Sequence, residues 1–143
     1  MKIPQLSIFI ENKSGKLAEI ATTLGDAGIS IRAMSLSDTS EFGILRMVVD
    51  DPQRARRLLK DLGHAVSRTD VIAVEIPDQP GSLGSLLNTL AGGGHNVAYI
   101  YAFIQKYKES AVMILKVEDI EGALAVLSAA GVEILNNERL AMM

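Results

Sequence analysis

Two stretches of sequence decide the fold: ENKSGKLAEIATTLGDAGISI at residues 11–31 and PDQPGSLGSLLNTLAGGGHNV at residues 77–97. Aligned, they place Gly15 on Gly81, 66 positions apart. The same offset relates three further pairs: Leu17 and Leu83, Leu24 and Leu90, Gly28 and Gly94. A register kept over this length indicates an internal duplication, which has to be recognised before any helix or strand is assigned.

The duplication continues with one small change of register. Asp51 matches Asp119 and Gly63 matches Gly131, both now 68 positions apart. We expect the two additional residues at the tip of a hairpin, where residues 105–109 form a longer connection than residues 39–41. The chain is therefore predicted to consist of two domains, residues 1–70 and residues 71–143.

Each copy shows the same order of strand and helix signals. Leu6, Ile8 and Ile10 alternate with other side chains as in a half-buried strand, and helical spacing of apolar residues follows. The predicted elements of the first copy are that strand, a helix from Leu17, strands at 29–37 and 42–49, a helix from Asp51–Pro52 and an extended segment from Val66. Those of the second are strands at 71–76, 97–104, 110–117 and near 132–135, with helices at 82–91 and from Asp119. This order predicts an α+β fold of two ferredoxin-like βαββαβ repeats, each an antiparallel sheet with its helices on one face.

Two strands of the second copy are apolar on both faces. VAYIYAFI at 97–104 carries apolar side chains at both alternating sets of positions, and AVMILKV at 111–117 nearly does so. A sheet with one face in water should alternate instead. The helix-free face is thus expected to be covered, either by the other copy in the chain or by a second subunit, and we favour a homodimer.

Composition excludes several classes of function. The net charge is −3, so the basic excess that nucleic-acid binding requires is missing. The chain has no cysteine and two histidines, His64 and His95, which leaves no thiolate chemistry and little basis for a metal site. No nucleophile–base pair or acid–base dyad is evident. We expect a protein that is not an enzyme, without catalytic residues, bound metal or cofactor.

The N-terminus does not resemble a targeting segment. Pro4, Gln5 and Glu11 interrupt its apolar run, and no stretch approaches the roughly 20 apolar residues of a membrane span. We expect a cytoplasmic protein that does not bind membranes.

Two loops contain the groups best suited to bind a small ligand. Asn12–Leu17 and Asp78–Leu83 each join the first strand of a copy to its first helix. A glycine there allows a ligand to approach the backbone, and the N–H groups of a helix N-terminus suit a carboxylate. Asn12 or Asp78 could accept a hydrogen bond from an ammonium group. An α-amino acid presents both groups, although a capped turn without a ligand is the alternative.

The loop DQPGSL at 78–83 resembles the ligand loop of ACT domains. It lies between an apolar strand and a leucine-rich helix, and Asn96–Val97 follow that helix. The resemblance covers both copies, as in stand-alone tandem ACT proteins. It implies a sensor of free amino acids, with sites where two such domains meet and a possible partner enzyme. The ligand-binding candidates are Asp78, Gln79, Pro80, Gly81, Ser82, Leu83, Asn96 and Val97, with Asn12, Ser14, Gly15, Lys16, Leu17 and Ser30 in the first copy.

The first copy departs from the family pattern, because Ser14 stands at the position of Pro80 and Ser30 at that of Asn96. A second, equivalent site is therefore open to question. Lys13 and Lys16 are expected to be solvated, with an acidic ligand as the alternative. A further alternative function is a non-catalytic interaction subunit that docks on a partner enzyme through its apolar sheet face.

Overall fold

The computed structural model describes residues 1–38, 41–104 and 109–143 of the chain. The predicted place of the two inserted residues falls on Thr39, Ser40 and residues 105–108 and so lies outside the described residues. No helix in the described part is long and apolar enough to cross a membrane. The same residues hold no group of three His, Asp or Glu side chains placed to bind a metal ion.

The chain divides into two compact units. Pro4–Thr69 forms the N-terminal unit, and Met1–Ile3 with Asp70–Met143 forms the C-terminal unit. The elements of the N-terminal unit are β1 (Ile3–Glu11), α1 (Lys16–Asp26), β2 (Ile31–Asp38), β3 (Phe42–Val49), α2 (Pro52–Asp61) and the first part of β4 (Ala65–Pro77). Its strands follow the order β2-β3-β1-β4, with β1 antiparallel to β3.

The core of the N-terminal unit lies between the sheet and its two helices. Leu6, Ile8 and Ile10 of β1 pack in one buried cluster with Ile20 and Leu24 of α1. A fully buried leucine contributes about 2 kcal/mol through the removal of apolar surface from water. The alternating apolar residues of β1 and the helically spaced apolar residues of α1 thus pack in one core, as predicted.

The C-terminal unit repeats this arrangement. Its elements are the rest of β4, α3 (Ser82–Gly92), β5 (Val97–Ala102), β6 (Ser110–Val117), α4 (Ile120–Ala129), β7 (Glu133–Leu135) and α5 (Asn137–Met142). The strand order is β5-β6-β4-β7, and Val74 of β4 pairs with Met113 of β6 on one side and Ile134 of β7 on the other. The predicted fold class, two ferredoxin-like repeats with antiparallel sheets, is confirmed.

Aspartates cap the second helix of each copy. The Asp51 side chain accepts a hydrogen bond from the Arg54 N–H at 3.2 Å, and that of Asp119 accepts from the Gly122 N–H at 3.0 Å. A carboxylate there satisfies a backbone donor that has no partner within the helix. The acidic residues around Asp119 therefore begin a helix, as their position in the sequence predicts.

Two elements differ from the sequence prediction. The two extended segments predicted near Val66 and at residues 71–76 are one continuous strand, β4, of 13 residues. The helix α5 is absent from the sequence prediction. It carries Arg139, whose guanidinium pairs with Glu75, and the Glu75 side chain alternates along β4 with the core residues Val74 and Ile76. It follows that α5 lies beside the sheet face that α3 and α4 leave free.

Candidate functional site

Backbone hydrogen bonds hold the loop between β4 and α3 in place. The Asp78 N–H donates to the Glu109 carbonyl at 3.0 Å, and the Gln79 N–H donates to the Pro77 carbonyl at the same distance. The Ser82 N–H donates to the Gln79 carbonyl at 3.2 Å. One of the helix-start donors expected to be free is therefore used by the turn.

Gly81 ends this loop in a left-handed backbone conformation, with φ 91° and ψ −16°, as the residue before α3. Gly15 has φ 89° and ψ −13° at the same point before α1. A Cβ atom at either position would meet no atom of the described residues within 4 Å. Glycine is thus favoured by the backbone angle rather than by lack of space, and the surface above the loop is open.

No side chain among the described residues caps the first turn of α3. The Gly81 carbonyl accepts from the Ser85 N–H at 2.9 Å, as a normal helix start requires. For the Leu83 and Gly84 N–H groups, no acceptor is found among residues 1–38, 41–104 and 109–143. Since these donors lie at the positive end of the helix dipole, they form a site suited to an anionic group.

An open groove of about 1200 Å³ lies over this loop. It exists because β7 has only three residues and pairs with Ala73–Glu75, which leaves the end of β4 without a strand on that side. The groove is lined by residues 75–82 and by Ser85, Leu86, Thr89, Glu109, Ser110, Ala130, Gly131, Val132 and Glu133. All of them belong to the C-terminal unit.

The groove carries an acidic wall, the carboxylates of Glu75 and Glu133. Asp78 and Glu109 are two more acidic residues of the lining. The Arg139 guanidinium hydrogen-bonds to Glu133 and lies 3.4 Å from the Glu75 carboxylate. The groove therefore lies next to the uncapped start of α3 and has acidic residues in its lining, and these are partners for a carboxylate and for an ammonium group.

The corresponding loop of the N-terminal unit has a different electrostatic character. The Lys13 ammonium lies 2.8 Å from the Glu11 carboxylate, and both side chains are exposed. This hydrogen bond lowers the pKa of Glu11 and raises that of Lys13. By the offsets of the duplication, Phe9 and Ala65 stand where the second copy has Glu75 and Glu133, so the acidic wall is not repeated.

Asn96 lies far from the loop of its own copy. Val97 pairs with Val117 and Pro77 pairs with Ser110, at opposite ends of β6. Seven residues along a strand span about 23 Å. The structure thus brings Gln79, Pro80, Gly81 and Ser82 together with Asp78, but it places Asn96 and Val97 at the other end of the unit.

The first-copy candidates show the same separation. Asn12–Leu17 lies next to the end of β3 that begins at Phe42, since the Asn12 N–H donates to the Glu41 carbonyl at 2.9 Å. Ser30 lies next to the other end of β3, where its N–H donates to the Asp50 carboxylate at 3.0 Å. Ser30 has a structural partner there.

Sequence reasoning missed two hydroxyl residues of the groove, Ser85 and Thr89. Ser85 lies three residues after Ser82 and Thr89 four residues after Ser85, so the three form a polar stripe on a leucine-rich helix. Residues at these spacings lie on one side of a helix, so this pattern in the sequence could have identified Ser85 and Thr89. The turn residue His95, by contrast, packs towards α4, because a Cβ atom on Gly122 would lie 2.8 Å from the His95 Cε1 atom.

Comparison with known proteins agrees with this architecture. The family model of the ACT domain pair matches residues 1–143. Protein BT0572 of Bacteroides thetaiotaomicron is 34% identical, with a TM-score of 0.93 over 100% of this chain and 98% of that one. A search of curated proteins gives no match.

Two more distant structures share the fold. The regulatory subunit of aspartate kinase from Thermus thermophilus has a TM-score of 0.67 at 19% identity, over 89% of this chain and 91% of that one. The equivalent subunit from Thermus flavus has a TM-score of 0.62 at 20% identity, over 90% and 92%. Because the family model covers the whole chain, the protein belongs to the ACT domain pair family, a family of regulatory domains.

Proposed function

We propose that the chain is a non-catalytic regulatory protein that binds a free amino acid in the groove over Asp78–Leu83. The observation that carries the proposal is the uncapped start of α3, with the Leu83 and Gly84 N–H groups, next to an open groove whose lining includes Gly81, Ser82 and acidic residues. The ligand carboxylate would accept hydrogen bonds from these two amides. Its ammonium group would lie on the carboxylate side, where Asp78 and Glu109 are the nearest candidates along the loop.

The position of Asn96 adds a condition to the proposal. Within one copy, Asn96 lies about 23 Å from the loop by strand geometry, more than one amino acid can span. Asn96 can therefore contact the ligand only if a second ACT copy supplies it. A homodimer would provide such a copy, as would a suitable arrangement of the two copies in one chain.

A thermal-shift screen of the twenty amino acids tests the proposal. A ligand at ten times its Kd stabilises a folded protein by about 1.4 kcal/mol, which for a chain of this size corresponds to a rise in Tm of roughly 3–6 °C. Asp78→Asn should remove the rise. Glu118→Gln is the matched control, since Glu118 is an exposed carboxylate next to the far end of β6. Absence of any rise at 10 mM would contradict amino-acid binding.

An exposed aromatic pair favours a second function, docking on a partner enzyme. Phe9 is 54% exposed and Phe42 40% exposed, with ring centroids 5.3 Å apart. Phe9 alternates with the core residues Ile8 and Ile10, so it lies on the helix-free face of the N-terminal unit. Sedimentation equilibrium of the wild-type chain and of Phe9→Ser tests what covers this face. A dimer that Phe9→Ser dissociates supports the homodimer, and a monomeric wild-type chain leaves the face for another protein.

A further inference from the structure

The charged side chain of Arg139 joins the C-terminal helix α5 to two residues of the groove lining. Arg139 pairs with Glu75 of β4 and with Glu133 of β7. The side chain of Asn136 accepts a hydrogen bond from the Arg139 N–H at 2.9 Å, which begins the helix. Leu140 is 3% exposed and anchors the other side of α5, while Met142 is 86% exposed. Six residues are too few for a helix that is stable alone, so the order of α5 depends on these contacts.

The two acidic partners of Arg139 are also groove residues. Both Glu75 and Glu133 line the groove, and the Glu75 side chain is only 16% exposed. Arg139 is 41% exposed, so its guanidinium is still accessible to water. A cationic group that enters the groove would meet two carboxylates already occupied by a cation of the protein itself. Such a group would compete with Arg139 for these carboxylates.

We propose that an amino acid with a cationic side chain displaces Arg139 from Glu75 and Glu133 and thereby releases α5. The inference rests on the proposed amino-acid site and adds both its ligand class and its output. The ligand carboxylate and α-ammonium group would bind at the loop, and the side-chain cation would bind at the acidic wall. Release of α5 converts occupancy of the groove into a change at the C-terminal end of the chain.

Other features of the groove favour a cationic ligand over an acidic one. Four acidic residues, Glu75, Asp78, Glu109 and Glu133, line the groove, and Arg139 pairs with two of them, Glu75 and Glu133. An acidic side chain placed among them would be repelled. The first copy has Phe9 and Ala65 at the positions of the acidic wall. The preference for a cation should therefore belong to the second copy.

Hydrogen exchange of the whole chain, followed by mass spectrometry, tests this inference with three probes. L-lysine carries a side-chain ammonium group, L-norleucine has the same carbon chain without it, and L-glutamate is acidic. We expect lysine to bind at least tenfold more tightly than norleucine and glutamate not to bind. Lysine should increase exchange at residues 137–142, whereas norleucine should leave it unchanged.

Three variants make the test specific. Arg139→Gln should show rapid exchange in α5 without any ligand and should bind lysine about three- to tenfold more tightly, because the internal competitor is absent. Glu133→Gln should remove the preference for lysine over norleucine. Arg56→Gln, an exposed arginine of α2, is the matched control and should behave as wild type. A thermal melt of each variant confirms that it is folded.

The outcomes separate this inference from the function on which it rests. If lysine and norleucine bind equally, or if both change exchange in α5 to the same extent, competition with Arg139 is wrong and amino-acid binding stands. If no amino acid stabilises either the wild-type chain or Arg139→Gln, both the inference and the proposed function are wrong.

Discussion

Gly81→Ala is the substitution whose cost follows most directly from the geometry of the loop. At φ +91° the residue lies in the left-handed region, which costs an L-residue about 1–2 kcal/mol. A Cβ atom at this position would meet nothing within 4 Å, so no steric clash adds to that cost. We expect the free energy of unfolding to fall by about 1–2 kcal/mol, and Tm by roughly 2–8 °C for a chain of this size.

Two other glycines provide comparisons for this prediction. Gly15→Ala changes a residue with φ +89° in an equally open position, so it should lose a similar amount. Gly25 lies inside α1 without a positive φ, and a Cβ atom there would also meet nothing within 4 Å. Gly25→Ala should therefore gain up to about 1 kcal/mol from helix propensity. Urea unfolding followed by circular dichroism measures all three. An unchanged stability for Gly81→Ala, or an equal loss for Gly25→Ala, would refute the reasoning.

Three further substitutions probe the cores and the second helix. Leu90→Ala and its counterpart Leu24→Ala remove side chains that are 0% exposed, so each should cost about 2–5 kcal/mol in urea unfolding, and a loss below about 1 kcal/mol would contradict the assigned cores. Asp119→Ala removes the cap of α4 and should cost about 1 kcal/mol by the same measurement, whereas Asp119→Asn keeps the acceptor and should retain most of the stability. Gly122→Ala should cost about 1–3 kcal/mol despite its higher helix propensity, because its Cβ would crowd the Asp119 Oδ2 atom and lie 2.8 Å from the His95 Cε1 atom; His95→Ala should recover only the part that is due to His95.

Most of the fold could be predicted because the two copies carry the same local signals. Apolar alternation in β1, helical spacing in α1 and aspartates at the starts of α2 and α4 all depend on near neighbours in sequence. The two differences, the continuity of β4 and the presence of α5, concern features without such signals. No glycine or proline lies between Ala65 and Ile76, so nothing in that segment marks where one strand would end and another begin. The helix α5 is too short to show a helical period.

The candidate site could be predicted only in part. The loop at Asp78–Leu83 is local in sequence, and its glycine has the left-handed conformation that such a loop requires. The groove over it depends on the shortness of β7, and its acidic wall depends on Glu75 and Glu133 meeting across two strands. Neither of these features can be inferred from the spacing of residues along the chain. The separation of Asn96 from the loop likewise becomes evident only from strand pairing, because the neighbouring residues Val97 and Pro77 pair with opposite ends of β6.

The backbone amides of Leu83 and Gly84 report on the central claim most directly. In a ¹H–¹⁵N correlation spectrum of the labelled chain, at least one free amino acid should shift both signals saturably as its carboxylate accepts their hydrogen bonds. If none of the twenty amino acids moves either signal at millimolar concentration while the chain remains folded, the helix start does not bind a ligand carboxylate.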